Sequence, residues 1–204
     1  MGEIVIADLR YGMAVILVVT VPIVVAFWTV IHGGIRFWQA RPTWMAYTAA
    51  LIGILAAITP ILLNLRIIIG ADLGHNPLLL GIGALLWLGS LRVSSRVRES
   101  LSFRTFFGIP EIKNETGALI ESGAFEVIRH PRYFMVMLST VGWVIATNFA
   151  GAYVMGAIFL LGLYLIIQIE ERELIARFGQ AYLDYRTRVP MVIPKPAQIG
   201  RLFV

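Results

Sequence analysis

The sequence predicts an all-α integral membrane protein with about five transmembrane helices and a C-terminal amphipathic helix on the cytoplasmic side. Three observations carry this prediction. Hydrophobic residues make up 58% of the 204 residues and charged residues only 14%, where a soluble domain carries about a quarter. Mean hydropathy is +0.81. The apolar residues are gathered into runs that approach or reach the roughly 20 helical residues needed to cross about 30 Å of hydrocarbon.

The first run, Tyr11 to Ile31, contains Pro22, which a membrane helix tolerates as a kink. It is too long for a signal-peptide core and no small-residue cleavage site follows it, so it reads as a retained helix. The second runs from Trp44 to Leu65, with Pro60 near its end, and the third is shorter, from Pro77 to Leu91. The fourth, Tyr133 to Phe149, and the fifth, Ala152 to Ile169, are joined by the uncharged Thr147-Asn148-Phe149-Ala150-Gly151, which suits a tight helical hairpin. The length fits one membrane domain over 1–204, with three N-terminal spans in 1–91 and the loop, hairpin and tail in 92–204.

Basic residues set the orientation. Arg36 and Arg41 lie in the first loop; Arg92, Arg96, Arg98, Arg104, Lys113, Arg129 and Arg132 in the third; Arg172, Arg177, Arg186, Arg188, Lys195 and Arg201 in the tail. Only Arg10 and Arg66 fall on the other side. Positive charge collects in the cytoplasm, so the N-terminus is expected outside and the C-terminus inside. The net charge of +5 therefore reflects cytoplasmic loops, and no nucleic-acid partner is expected. The chain has no cysteine, which excludes disulfides, a thiolate nucleophile and cysteine metal sites. His32, His75 and His130 lie in separate segments without ligand spacing, so no metal is expected.

Two long polar stretches remain, 92–132 and 170–204. Gly108-Ile109-Pro110 predicts a turn in the first. In the second, Glu171, Leu174, Phe178, Tyr182 and Tyr185 share one face of a helix over Glu170 to Arg186. Gly81-Ile82-Gly83 lies in an apolar run with no preceding strand, and its glycines suit close helix packing rather than a nucleotide loop.

Two clusters bear chemistry. Residues 123–133 place Arg129, His130 and Tyr133 where a cytoplasmic loop enters the fourth span, with Pro131 suited to a first helical turn. Such residues also serve simply to reach the headgroups, and both readings stand. The second cluster, Glu170-Glu171-Arg172-Glu173, lies at the exit of the fifth span. It reads either as a solvated helix end or as carboxylates facing a cationic ligand. The hairpin brings both clusters to its open cytoplasmic end.

These residues carry a resemblance. Leu119-Ile120-Glu121-Ser122-Gly123, Arg129-His130-Pro131 with Tyr133, Glu170-Glu171 with Leu174, Phe178-Gly179 with Tyr182 and Tyr185, and Arg188-Val189-Pro190 with Pro194 follow one another in order over residues 115 to 195. The pattern resembles the isoprenylcysteine carboxyl methyltransferase family, which is related to the phospholipid N-methyltransferases. The resemblance implies an integral membrane enzyme that uses S-adenosylmethionine, bound on the cytosolic side, to methylate a lipidic or isoprenoid-like substrate entering from the bilayer. It implies a cofactor pocket involving Leu119, Gly123, Arg129, His130, Pro131, Tyr133, Glu170, Glu171, Tyr182 and Tyr185. Arg129, Glu171 and Arg188 are the residues it implies in catalysis. Gly117 stands where the carboxyl methyltransferases usually have a histidine, which touches the carboxyl-methylating specificity.

A carboxylate acceptor is ionised at neutral pH and needs no base, but an arginine fork such as that of Arg129 or Arg188 to hold it. A thiol or amine acceptor has first to lose a proton. Replacing Glu171 by alanine is expected to remove cofactor binding and leave the fold intact. Two other readings fit the same spans: an NADPH-dependent enzyme resembling sterol reductases, and a non-catalytic membrane scaffold.

Overall fold

The computed structural model describes residues 2–101, 109–113 and 118–203. Gly117 and, from the expected turn, Gly108 lie outside the described residues. Among the described residues all regular structure is helical: α1 (Gly2–Gly33), α2 (Ile35–Gln39), α3 (Thr43–Leu63), α4 (Leu65–Ile69), α5 (Pro77–Ser100), α6 (Ile109–Ile112), α7 (Pro131–Thr147), α8 (Ala150–Phe178) and α9 (Gln180–Arg188), with 3-10 turns at Gly123–Glu126 and Pro196–Leu202. Thus Ile109 and Pro110 belong to one helical turn rather than a bend. The long helices α1, α3, α5 and α8 are long and apolar enough to cross a membrane, so this is a multi-pass membrane protein. The expected fourth span is α7, 17 residues or about 25 Å long, so the count of five rests on this shorter helix.

Three boundaries differ from the sequence reading. The helix α1 begins at Gly2 rather than Tyr11, and α5 runs to Ser100 rather than Leu91. The tail helix is not continuous from Glu170 to Arg186. The span α8 runs unbroken to Phe178, Gly179 turns the chain at φ 57°, and α9 follows. That positive φ is a conformation glycine adopts without a Cβ penalty.

Local chemistry explains the ends. The Asn76 side chain accepts hydrogen bonds from the Leu78 and Leu79 amides at 3.0 and 3.3 Å, and Pro77 fills the first turn, which starts α5. Pro131 does the same for α7, which ends on Asn148 in the left-handed conformation. The close passage of α5 and α7 depends on two glycines. A Cβ on Gly142 would meet the Gly83 carbonyl oxygen at 2.7 Å and the Trp87 amide nitrogen at 3.1 Å; one on Gly83 would overlap the Gly142 carbonyl. Gly81, by contrast, faces open space.

The core runs along α1. Leu17, Val18, Val21, Trp28 and Ile31 pack with Tyr133 and Val144 of α7 and with Phe159, Leu163 and Ile167 of α8. One end of this bundle is locked by Arg10, the only basic residue expected near the N-terminus, which is 4% exposed. Its guanidinium donates to the Thr147 carbonyl at 2.9 Å, to the Asn148 carbonyl at 3.3 Å and to both oxygens of Asp72. The two carbonyls close the C-terminus of α7, where oxygens lack helical partners and favour a cation. The opposite end of the bundle carries the Arg129 and Glu170 clusters.

Candidate functional site

The loop leading into α7 is fixed by the tail. The Arg129 and His130 amides donate to the Pro190 and Met191 carbonyls at 2.9 and 3.0 Å. This pairing holds both side chains against the end of α8, where Glu171 is 4% exposed although it is charged. A carboxylate so buried needs partners, and Glu171 has them on both oxygens. Arg129 approaches as a fork, Nε to Oε1 at 2.9 Å and Nη2 to Oε2 at 3.1 Å. His130 Nε2 lies 2.8 Å from Oε1, and the Tyr182 hydroxyl donates to Oε1 at 2.7 Å. Arg186 Nε lies 3.2 Å from Oε2.

Arg129 also ties the tail. Its Nη1 donates to the Val189 carbonyl at 2.6 Å and to that of Arg186 at 3.3 Å, at the C-terminus of α9. Tyr182 and Tyr185 are buried and meet edge to face, 5.8 Å between centroids, with Leu119, Leu174 and Phe178 packed around them. The Tyr185 hydroxyl donates to the Phe125 carbonyl at 2.7 Å. Burial, then the Glu171 hydrogen bond, push the Tyr182 hydroxyl well above the usual phenol range. Burial does the same to Tyr185. Both are therefore donors at physiological pH.

Glu170 points elsewhere. Its oxygens lie 3.4 and 3.5 Å from Arg132 Nη2, which also reaches the buried Tyr133 hydroxyl at 3.3 Å. The Arg132 guanidinium covers the Trp28 ring of α1 at 4.4 Å. Gly123 opens the 3-10 turn at φ 64°, and a Cβ there would meet the Ser100 hydroxyl of α5 at 2.7 Å.

Among the sequence candidates, then, Arg129, His130, Glu171 and Tyr182 touch directly, with Tyr185 and Leu119 packed beside them. Tyr133 and Glu170 share Arg132 next door, while Pro131 and Gly123 shape the loop. Arg188 stands apart: its side chain is 62% exposed and paired with Glu121 at 2.7 Å.

A family model of the phospholipid methyltransferases matches residues 78–181, half of the chain, from α5 through both clusters. The chain belongs to the phospholipid methyltransferase family. Membership agrees with the resemblance drawn from the motifs, although Tyr182, Tyr185 and Arg188 lie beyond the matched segment. Among curated relatives, methanethiol S-methyltransferase 2 of Bradyrhizobium diazoefficiens is 35% identical over 71 residues, which is 35% of this chain and 27% of the relative. Methanethiol S-methyltransferase of Crocosphaera subtropica is 33% identical over 85 residues, 41% of this chain and 32% of the relative. Methanethiol S-methyltransferase 1 of the same Bradyrhizobium is 33% identical over 70 residues, 34% of this chain. These matches span only 24% to 32% of the relatives' own length. No solved structure matches the chain.

Sequence reasoning missed several charged residues in and beside this cluster. Arg186 was visible only as a basic residue near a membrane, and Arg132 only as a member of the 123–133 cluster with no role of its own. His32 on α1, 141 positions from its partner Glu173, was an isolated histidine. No pattern within α1 signals that pairing, which exists only because α1 packs on α8.

Proposed function

We propose that the protein is a membrane methyltransferase that uses S-adenosylmethionine to methylate a lipophilic acceptor at the cytoplasmic face. The observation that carries this reading is the cluster of Arg129, His130, Glu171 and Tyr182 at the open end of the α7–α8 hairpin, in a chain of the phospholipid methyltransferase family. The donor set suits such a cofactor. The side chains of Arg186, 41% exposed, and Arg188, 62% exposed, are placed to complement its carboxylate, and the carboxylates at this end its ammonium and hydroxyls. When bound, S-adenosylmethionine supplies an electrophilic methyl group on a sulfonium.

The chain's own residues have separate tasks. Leu119, Gly123, Arg129, His130, Pro131, Tyr133, Glu170, Tyr182 and Tyr185 would surround the bound cofactor. Glu171 holds Arg129, His130, Tyr182 and Arg186 in one arrangement and acts through them. Holding the reactants aligned at the ends of α7 and α8 is worth about 7–11 kcal/mol of barrier. A cavity of about 290 Å³ opens between α1, α5, α7 and α8, lined by Val24, Trp87, Val136, Trp143 and Phe159 with the Thr140 hydroxyl. It gives the apolar part of an acceptor a place within the bilayer.

For the acceptor, the geometry favours a thiol over the carboxylate that carboxyl O-methylation would require. Arg129 is engaged by Glu171 and two carbonyls, so its fork has no free edge to clamp an acceptor carboxylate. The relatives named for methanethiol S-methylation point the same way.

Calorimetric binding of S-adenosylhomocysteine to the protein in detergent tests the reading, with NADPH as control. Saturable binding of the first alone is expected. Binding of NADPH alone points to a reductase, and binding of neither by folded protein to a scaffold; both results overturn the proposal. The orientation is tested in the natively cysteine-free chain. Leu73→Cys is expected to label from outside and Lys195→Cys only after permeabilisation; the reverse pattern overturns it.

A further inference from the structure

His32 closes α1, 4% exposed, with Nδ1 2.8 Å from Glu173 Oε2. Its remaining nitrogen, Nε2, and the remaining Glu173 oxygen, Oε1, are both buried without a hydrogen-bond partner. Buried polar atoms are nearly always paired, so a histidine–carboxylate couple with both outer atoms open is unusual. The consequence for the ring is definite. A carboxylate at Nδ1 selects the tautomer that carries its proton there, which leaves the lone pair on Nε2. A base whose second nitrogen is oriented by a carboxylate is the arrangement that general-base chemistry uses.

The surroundings place this couple beside the proposed site. Glu170, Glu171 and Glu173 are neighbours on α8. The other charged groups facing His32 are Glu170 from α8 and Arg132 from α7, and these two pair with each other at 3.4 Å. Val24, Trp28 and His32 form one stripe of α1 at steps of four residues. Val24 lines the lateral cavity, and Trp28 stacks on His32 with centroids 5.1 Å apart and planes 19° from parallel. The stripe leads from the apolar cavity to the imidazole.

We infer that His32, oriented by Glu173, is the general base that takes the proton of a thiol acceptor. This rests on the methyltransferase reading above and its thiol acceptor, and adds the residue that takes the proton. In the step, the S–H bond breaks, the proton joins Nε2 and the electron pair stays on sulfur. The imidazolium formed is held by the Glu173 carboxylate. A cysteine-like thiol with a pKa of roughly 8.5 is only a few per cent ionised at neutral pH. A positioned base is worth about 10²–10⁴ in rate for such an acceptor, and nothing for a carboxylate already ionised.

The test uses His32→Asn, which keeps a donor towards Glu173, and Glu173→Gln, which keeps the hydrogen bond but not the charge. S-adenosylhomocysteine affinity is measured in each, together with methylation of hexanethiol between pH 6 and 10. The ultraviolet titration of bound 4-acetylthiophenol, whose thiolate absorbs to the red of its thiol, is a readout independent of turnover. In His32→Asn the affinity is expected within about twofold of wild type. Hexanethiol methylation should fall by about 10²–10⁴ at pH 7 and recover towards pH 10 as the thiol ionises unaided. The thiolate midpoint of the bound probe should move upward by a unit or more, and Glu173→Gln should show a smaller change of the same sign. An equal loss at every pH, or an unmoved probe midpoint, overturns the inference. So does a wild-type protein that binds S-adenosylhomocysteine yet methylates only carboxylates. Absence of S-adenosylhomocysteine binding removes the methyltransferase reading itself and this inference with it.

Discussion

Replacing Glu171 by alanine should unfold more than a cofactor contact. The sequence reading expects the fold to survive this change. The structure argues otherwise, because the carboxylate has partners on the loop before α7 and on α9: Arg129, His130, Tyr182 and Arg186. Truncation leaves the Arg129 guanidinium, 8% exposed, without its counter-charge. Breaking a buried ion pair from one side costs about 3–5 kcal/mol. At about 2–4 °C per kcal/mol for a chain of this size, the midpoint of thermal unfolding should fall by about 6–20 °C. Tyr182→Phe removes one hydrogen bond to a charged acceptor and should cost about 1.5–3 kcal/mol alone. In the Glu171→Ala background it should cost little more, since the bond is already gone. The assay is unfolding followed by tryptophan fluorescence in one detergent, for both single variants and the double. A Glu171→Ala midpoint within about 2 °C of wild type, or a Tyr182→Phe effect unchanged by Glu171→Ala, would refute the reasoning.

Other expectations follow from the rest of the bundle. Burial works against the charged Asp72 carboxyl, but the hydrogen bonds from Arg10 and the Gly74 amide and the Arg10 charge outweigh it, so its pKa lies below the usual carboxylate range. Its stabilisation is therefore present above roughly pH 4, the unfolded carboxylate value, and is lost as pH falls through the lower folded one. Asp72 is 40% exposed, so the screened contribution is about 1 kcal/mol or less. Asp72→Asn should lower the unfolding midpoint slightly at pH 7 and flatten its fall between pH 5 and 2; parallel curves for the two proteins would contradict this. Gly142→Val forces side chain into the Gly83 backbone and should cost about 1–3 kcal/mol by thermal unfolding, whereas Gly81→Ala, facing open space, should stay within about 1 kcal/mol. Gly179→Ala places a Cβ at φ 57° and should cost about 1–3 kcal/mol, with a matching loss of S-adenosylhomocysteine affinity as Tyr182 and Tyr185 shift.

What the sequence revealed depended on the range of the interaction involved. Hydrophobic runs located α1, α3 and α8 because lipid acts on each helix separately. Hydropathy marks where lipid ends, however, and not where a helix ends. Arg92 to Ser100 therefore looked like loop but continues α5, supported by the Arg96–Glu99 pair at 2.9 Å. At the other end, Glu3, Asp8 and Arg10 hid the first turns of α1, because the partners of Arg10 lie 62 to 138 positions away. The helical spacing from Glu171 through Tyr185 was real as a shared face. It concealed the break at Gly179, after which Tyr182 reaches Glu171 and Tyr185 the Phe125 carbonyl. The hairpin argument brought Arg129 and His130 to Glu171 because chain connectivity demands it. Connectivity demands nothing of His32 and Glu173, and only the packed bundle pairs them.

The acidic end of α8 also answers a geometric question about its span. Apolar packing alone fixes the rotation of a helix about its own axis less sharply than directed charges do. Successive residues project about 100° apart, so Glu170, Glu171 and Glu173 reach in different directions: to Arg132 of α7, to Arg129 with α9, and to His32 of α1. Turning the span by one residue would swap or strand all three at once. Three charges at one tip thereby add a polar key to the packed face of this span, and the same key brings the loop, the tail and the first helix to a common centre.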